Sequence, residues 1–255
     1  MPLYELLGGS GKPVPSGLAV GICDSIGELL RRIEAFLAEG YVRVKIKIRP
    51  GWDVEPISAI RREFGDIPLM VDANAVYRLC DEHVRVFKVL DDFGLIMFEQ
   101  PFAGDALEDL ATLQAMVATP VCIDESADSI DSVARALSLG AARIVNIKLQ
   151  RVGGFGPAIA IHDLCRDNGI PVWCGYMPEL GVSTFGGVHM ATLPGFTLAG
   201  DLEPSLRWFT DDITRPLVQM GSPGAIDVPH GPGLGIDLDM EKVARYSVSR
   251  HTFVR

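Results

Sequence analysis

Short runs of β-branched and apolar residues recur along the chain, each followed by a longer stretch whose apolar positions return with helical spacing. The runs are GLAVGI from Gly17, VRVKIKI from Val42, PLMVD from Pro68, LIMFE from Leu95, PVCID from Pro120, ARIVNIK from Ala142, PVWC from Pro171 and FTLAG from Phe196. They predict eight strands, and the stretches between them predict helices. Ser25 and Glu28, for example, have capping-box spacing ahead of Leu29, Leu30, Ile33 and Phe36, and Gly40 ends that helix. Strand and helix alternating with so little left over implies parallel strands joined by crossovers, and eight such units close into a barrel. The expected architecture is therefore an α/β barrel over 17–210, with an open doubly wound sheet as the alternative. Residues 1–16 read as a Gly- and Pro-rich lead-in. Residues 211–255 read as an irregular C-terminal segment, with GSPG and HGPGLG, that packs back on the barrel. The glycines at 231–235 read as turn formers, because a phosphate cradle needs a strand before it and a helix after it.

With 255 residues and 48% hydrophobic content, the chain can bury one large core of the size a single barrel needs. The net charge of -10 argues against a nucleic-acid partner. It does not exclude an anionic substrate, since a bound cation and a few lysines reverse the field locally. The five cysteines include no C-x-x-C pair and suit a reducing compartment. No basic segment followed by an apolar one opens the chain, and no apolar run reaches about 18 residues, so a membrane partner is not expected and a cytoplasmic location is.

Five charged residues stand near the ends of consecutive predicted strands: Lys47, Asp72, Glu99, Asp124 and Lys148, separated by 25, 27, 25 and 24 residues. Each interval is one βα unit, so all five return to the same end, which in a barrel is the C-terminal mouth where active sites lie. Taken singly, Asp72 or Asp124 reads equally well as a helix N-cap, and a lone strand lysine as a snorkelling one. Taken together, three converging carboxylates repel one another unless a cation neutralises them. Oxygen ligands with room for water or substrate favour magnesium, with manganese or another divalent ion as alternatives.

These residues sit in segments that resemble a known family. VKIKI (44–48) looks like the Lys-x-Lys strand of the enolase superfamily, VDAN (71–74), FEQP (98–101) and DES (124–126) like its three metal-ligand strands, and NIK followed by RVGG (146–154) like its sixth strand. Within the muconate-lactonizing subgroup, YVRVKIKIRPGWDVEP, PVWCGYMPELG and LPGFTLAGDLEPSLRW are most similar to the o-succinylbenzoate synthase and N-acylamino acid racemase family. The resemblance implies a (β/α)7β barrel of TIM type. It implies Asp72, Glu99 and Asp124 as metal ligands, and Lys47 and Lys148 on opposite sides of a substrate α-carbon. It further implies that Lys45 stabilises the substrate carboxylate and that Asn74 and Glu125 orient ligands or tune the lysines, with Gln100 and Asn146 as weaker candidates for the same part.

The implied reaction removes the proton α to a carboxylate of a small molecule, so charge develops that must be stabilised in the transition state. A free lysine, with a pKa near 10.4, is a poor base at neutral pH. One like charge at about 4 Å and an effective dielectric near 20 contributes roughly 4 kcal/mol, or about three pKa units, toward its neutral form. Two opposed lysines permit racemisation or syn-dehydration. Dipeptide epimerisation and muconate-type cycloisomerisation are open alternatives, as is a barrel that binds metal without turnover. A Schiff-base barrel leaves the carboxylates unexplained. Relatives carry an α+β capping domain ahead of the barrel, which this chain is expected to lack, leaving an open mouth; they are also often oligomeric. MPELG (177–181) replaces a pattern closer to Met-Leu-Glu-Ser-Gly, and Gln150 stands where a small residue is common.

Overall fold

The computed structural model describes residues 1–221 and 224–252. Seven of the eight predicted runs form strands: β1 (Leu18–Val20), β2 (Val44–Lys47), β3 (Leu69–Asp72), β4 (Phe98–Glu99), β5 (Val121–Ile123), β6 (Ile144–Ile147) and β7 (Val172–Cys174). They make one parallel sheet in sequential order. A doubly wound sheet reverses its strand order at a switch point, so the sequential order removes that alternative.

The eighth run is not a strand of its own. Residues 195–201 join the sheet through isolated bridges, Val172 with Phe196 and Ser16 with Gly200. The Gly17 N–H donates to the Gly200 carbonyl at 2.7 Å, and the Asp201 N–H to the Cys174 carbonyl at 3.0 Å. The run thus bonds to both edges of the sheet. Glycines at 195 and 200 weaken it as a strand, and Gly200 is required where it stands: an added Cβ would come within 2.9 Å of the Cys174 carbonyl.

The helices follow the strands: α1 (Ile26–Ala38), α2 (Val54–Phe64), α3 (Asp81–Leu90), α4 (Leu107–Gln114), α5 (Ile130–Leu139), α6 (Phe155–Asp167) and α7 (Gly181–Met190). Ser25 caps α1 by accepting the Glu28 N–H at 3.2 Å, while the Glu28 carboxylate reaches back to the Asp24 N–H. Gly40, at φ 99°, follows the helix end.

Side-chain alternation divides the core in two. Ile46, Val71, Phe98, Val121, Ile123, Val145, Ile147 and Val172 face the helices in the main hydrophobic cluster. The other parity holds a separate inner cluster of Met70, Met97, Cys122, Ile144 and Trp173. Continuing along the inner parity, β3 to β6 exchange apolar for polar at their C-terminal ends, to Asp72, Glu99, Asp124, and Asn146 with Lys148. The apolar plug therefore lies beneath a polar layer, as a filled barrel interior requires.

The lead-in contains a short helix, Leu3–Leu7, and Val14–Pro15, which pairs antiparallel with Ala225–Ile226. The expectation of an irregular tail is corrected in part: Asp237–Leu238 pairs with Thr214–Arg215, and Met240–Tyr246 is a helix capped by Asp239. Within GSPG, Ser222 and Pro223 lie outside the described residues. Gly233 and Gly235 adopt positive φ, as turn formers do. All five cysteines are free. No helix among the described residues is long and apolar enough to cross a membrane.

Candidate active site

Register brings the strand-end residues together. Lys47 is the backbone partner of Asp72, and Asp72 of Glu99, so three charged side chains stand abreast on β2, β3 and β4. From β4 onward the line climbs. Glu99 pairs with Cys122, two residues short of Asp124, and Cys122 pairs with Ile144, four residues short of Lys148. That stagger is the shear of a curling sheet.

Lys45 is buried at the centre. Its Nζ lies 2.9 Å from Glu99 Oε2, 3.1 Å from Asp72 Oδ2 and 2.7 Å from Asp201 Oδ2, and 5.1 Å from the centroid of the Trp173 ring beneath it. Burial alone would lower its pKa, but Asp201, Glu99 and Asp72 outweigh burial and hold it well above the ordinary lysine value. Lys45 is therefore a fixed cation and not a base. Lys47, with 30% of its side chain exposed, pairs with Asp72 Oδ2 at 2.6 Å. Lys148 pairs with Asp124 Oδ2 at 2.9 Å, and Arg151 with Asp124 Oδ1 at 2.6 Å.

Burial opposes ionisation of Asp72, yet Lys45, Lys47 and the Asn74 N–H hold its carboxyl down at about 2. Glu99 goes the other way. Burial first, then the charges of Asp72, Asp124 and Asp201, push it up to about 8 against the pull of Lys45. Asn146 donates to Glu99 Oε1 at 2.9 Å. Gln100, at φ 37°, accepts the Asp124 and Ser126 N–H groups and donates to Ser126 Oγ, fixing the start of the β5 loop. Asn74, also at positive φ, donates to Glu125 Oε1 at 3.2 Å. Glu125 Oε2 is buried without a partner among the described residues, and burial followed by the charge of Asp124 raises its pKa.

Nine of the ten residues assigned a part in the site lie at the C-terminal strand ends or the turns after them, and the tenth, Lys45, starts lower on β2 and reaches Asp72 and Glu99 with its side chain. A cleft of about 430 Å³ opens over them, lined by Lys45, Lys47, Asn74, Asp124, Glu125 and Lys148 on its charged floor and by Tyr176, Met177, Glu203 and Trp208 on its walls. Gly175 gives the lysine its room: a Cβ there would lie 2.5 Å from Lys148 Cε and 2.2 Å from Asn146 Oδ1.

Four further groups escaped the sequence reading. Asp201, two unit lengths past Lys148, follows the eighth run and pairs with both Lys45 and Arg43; burial opposes its ionisation, but those two cations hold it well below the usual carboxylate range. The unit spacing carried the signal for Asp201. Arg43 is buried two residues before Lys45, also over Trp173. Arg151 stands in the single helical turn after Lys148 and reaches back to Asp124. Glu203, pushed up to about 7 chiefly by burial, lies in the cleft wall beside Arg207.

Residues 28–243 match the family described as enolase C-terminal domain-like. The chain belongs to that family. It is 47% identical over 255 residues to the o-succinylbenzoate synthase of Geobacillus stearothermophilus, covering all of this chain and 67% of that protein. It is 48% identical over 231 residues to an N-succinylamino acid racemase of an Amycolatopsis species, covering 90% of this chain and 62% of that one. Among solved structures, an enolase-superfamily protein of Listeria innocua matches with a TM-score of 0.92 at 35% identity, over 97% of this chain and 66% of the other. The chain thus spans about two thirds of the length of these enolase-superfamily enzymes.

Proposed function

We propose that the cleft removes the proton α to the carboxylate of an N-acylamino acid or of an o-succinylbenzoate precursor, with Lys47 and Lys148 as the paired acid and base. The observation that carries this reading is the placement of two lysines, on β2 and after β6, in one cleft with three strand-end carboxylates between them. The names of the relatives support the substrate class. In this reading residues 195–201 complete the ring of strands, so that Asp201 joins the floor from the remaining side.

Asp72, Glu99 and Asp124 would hold a divalent ion, magnesium or another such as manganese. The donor set fits: all three offer carboxylate oxygen, the ligand such ions prefer. Glu99 is pushed up to about 8 by burial first and then by its carboxylate neighbours, whose mutual repulsion a cation would relieve. Among the described residues no three His, Cys, Asp or Glu side chains stand together at ligating spacing. Lys45, Lys47, Lys148 and Arg151 occupy carboxylate oxygens instead, so with an ion held by those carboxylates Lys47 and Lys148 would be free to face the substrate. The bound ion would stabilise the negative charge that develops on the substrate carboxylate.

The chain's own residues do the rest. Lys45, permanently charged, holds Asp72 and Glu99 in place and adds positive potential under the substrate carboxylate. Lys148 takes or returns the α-proton from one side and Lys47 from the other. Asn146 orients Glu99, Gln100 fixes the backbone of Asp124, and Asn74 with Glu125 borders the approach. Racemisation uses both lysines as proton carriers; syn-dehydration uses one and leaves the other to stabilise charge.

The test is exchange of the α-proton of N-succinylamino acids into deuterated water, followed by NMR with and without magnesium. Metal-dependent exchange that disappears in Lys148→Ala supports the reading. Exchange that persists after the metal is stripped refutes it.

A further inference from the structure

Gln150 and Glu179 stand away from the charged floor and have no part in the proton transfers above. Glu179 is buried, and its Oε1 accepts the Met177 backbone N–H at 3.0 Å and a hydrogen bond from Gln150 Nε2. The same Nε2 donates to Ser183 Oγ, on α7, at 2.9 Å. The Tyr176 hydroxyl accepts the Glu179 N–H at 3.1 Å and donates to the Glu179 carbonyl at 3.0 Å.

The turn 176–179 is therefore bonded to itself, and one outside side chain ties its carboxylate elsewhere. That side chain, Gln150, belongs to the one-turn helix Leu149–Val152, which starts immediately after Lys148. On one side of this partition lies the cleft, with Tyr176, Met177 and Lys148. On the other lies an apolar groove of about 620 Å³ lined by Leu149, Phe155, Leu180 and Val182. A buried carboxylate needs its donors, so the turn and the lysine-bearing segment are held in one relative position.

We propose that Gln150 and Glu179 form a latch that sets the wall Tyr176–Pro178 against Lys148 and thereby selects the side chain the substrate carries beyond its α-carbon. Both are positioning residues. Met177, 48% exposed, and Trp208, 55% exposed, present apolar surface on either side of the cleft, so the selected side chain is apolar. The substrate part of this inference rests on the proposed α-proton chemistry, whereas the latch itself does not.

Gln150 is exposed, so its variants can be expected to fold. Gln150→Met removes the donor, and Gln150→Glu sets two carboxylates against each other. Gln150→Glu combined with Glu179→Gln restores an amide–carboxylate pair in the reverse sense. Two readouts apply to each: hydrogen exchange of the Met177 amide, and calorimetric affinity with magnesium present for N-succinyl derivatives of alanine and phenylalanine, with KM and kcat where turnover occurs.

Both single variants should exchange Met177 faster. They should bind the phenylalanine derivative about tenfold more weakly, the factor a lost hydrogen bond to a charged group represents. The alanine derivative should change by less than about threefold, kcat should hold, and the exchanged pair should recover all of these. Unchanged Met177 exchange, or no recovery in the double variant, overturns the latch. Equal losses for both ligands overturn its part in specificity. If the parent protein binds both but exchanges neither α-proton, the proposed reaction fails, and the exchange and affinity data still decide the latch.

Discussion

Replacing Asp201 by Asn removes one carboxylate from a buried group of five ionisable side chains, Arg43, Lys45, Asp72, Glu99 and Asp201. Arg43 loses its carboxylate partner and keeps only the carbonyls of Ala199 and Gly200, at 3.3 and 3.0 Å. Lys45 keeps Glu99 and Asp72. Breaking a buried pair from one side costs about 3–5 kcal/mol. The low end applies here, because Glu99 is held protonated partly by Asp201 and ionises more readily once that charge is gone. A loss of about 3 kcal/mol in a chain of this size lowers the midpoint by roughly 6–12 °C. Calorimetric unfolding at pH 7 measures it, and a shift under about 2 °C would refute the claim that Asp201 anchors the two cations. The pH dependence supplies a second check. The folded pKa of Asp201 lies below its unfolded value, so its contribution is complete above the unfolded value near 3.9 and is lost as pH falls through the folded one. The Asp201 contribution to the gap between parent and Asp201→Asn should therefore close toward acid, while from about pH 5 to 8 the gap should narrow with rising pH, because Glu99 titrates lower in the variant.

Gly175→Ala drives a methyl group into Lys148 and Asn146; α-proton exchange should drop by on the order of a hundredfold with magnesium affinity, read by calorimetry, within a few-fold of the parent. Glu99, at about 8, should lose its proton when the ion binds. Calorimetry at pH 6.5 in buffers of different ionisation heat should register close to one proton released, and affinity should climb with pH until about 8; a pH-independent affinity contradicts the assigned ligand set. The sign for stability is the opposite. A carboxyl raised in the folded state stabilises fully below its unfolded value and loses that contribution as pH rises to about 8, so the metal-stripped protein should become less stable across that window in urea titrations, while excess magnesium should remove the trend. Lys45→Met leaves Asp72, Glu99 and Asp201 without their shared cation and should lower the midpoint more than Lys47→Met, whose lysine is 30% exposed and meets one carboxylate.

The sequence disclosed those parts of the site that obey a repeating rule. Lys47, Asp72, Glu99, Asp124 and Lys148 sit one unit apart on strands whose alternation points them inward, and period and parity are both visible in one dimension. Asp201 obeys the same spacing, but its run is broken by glycines and joins the sheet by single bridges, so no strand end marked it. Arg43 and Asp201 were hidden for another reason. An arginine in a strand ordinarily extends its charge to water, and only its partner 158 residues away shows that it does not. The Gln150–Glu179 contact was half visible: Gln150 and the neighbours of Glu179 depart from the family pattern, yet nothing local says that the two side chains touch. Asp72 accepts the Asn74 N–H in the turn after β3 and pairs with two lysines, but it caps no helix, since α3 begins only at Asp81.

The turn after β7 is closed by bonds among its own residues, whereas the charged floor is held by backbone pairing between strands. The two can accordingly change at different rates in the hands of mutation. A library confined to positions 177 and 178, with Tyr176, Glu179, Gln150 and the strand ends untouched, should recruit new substrates at little cost to folding, and the same independence makes this turn the natural graft point for moving a side-chain preference from one such domain to another.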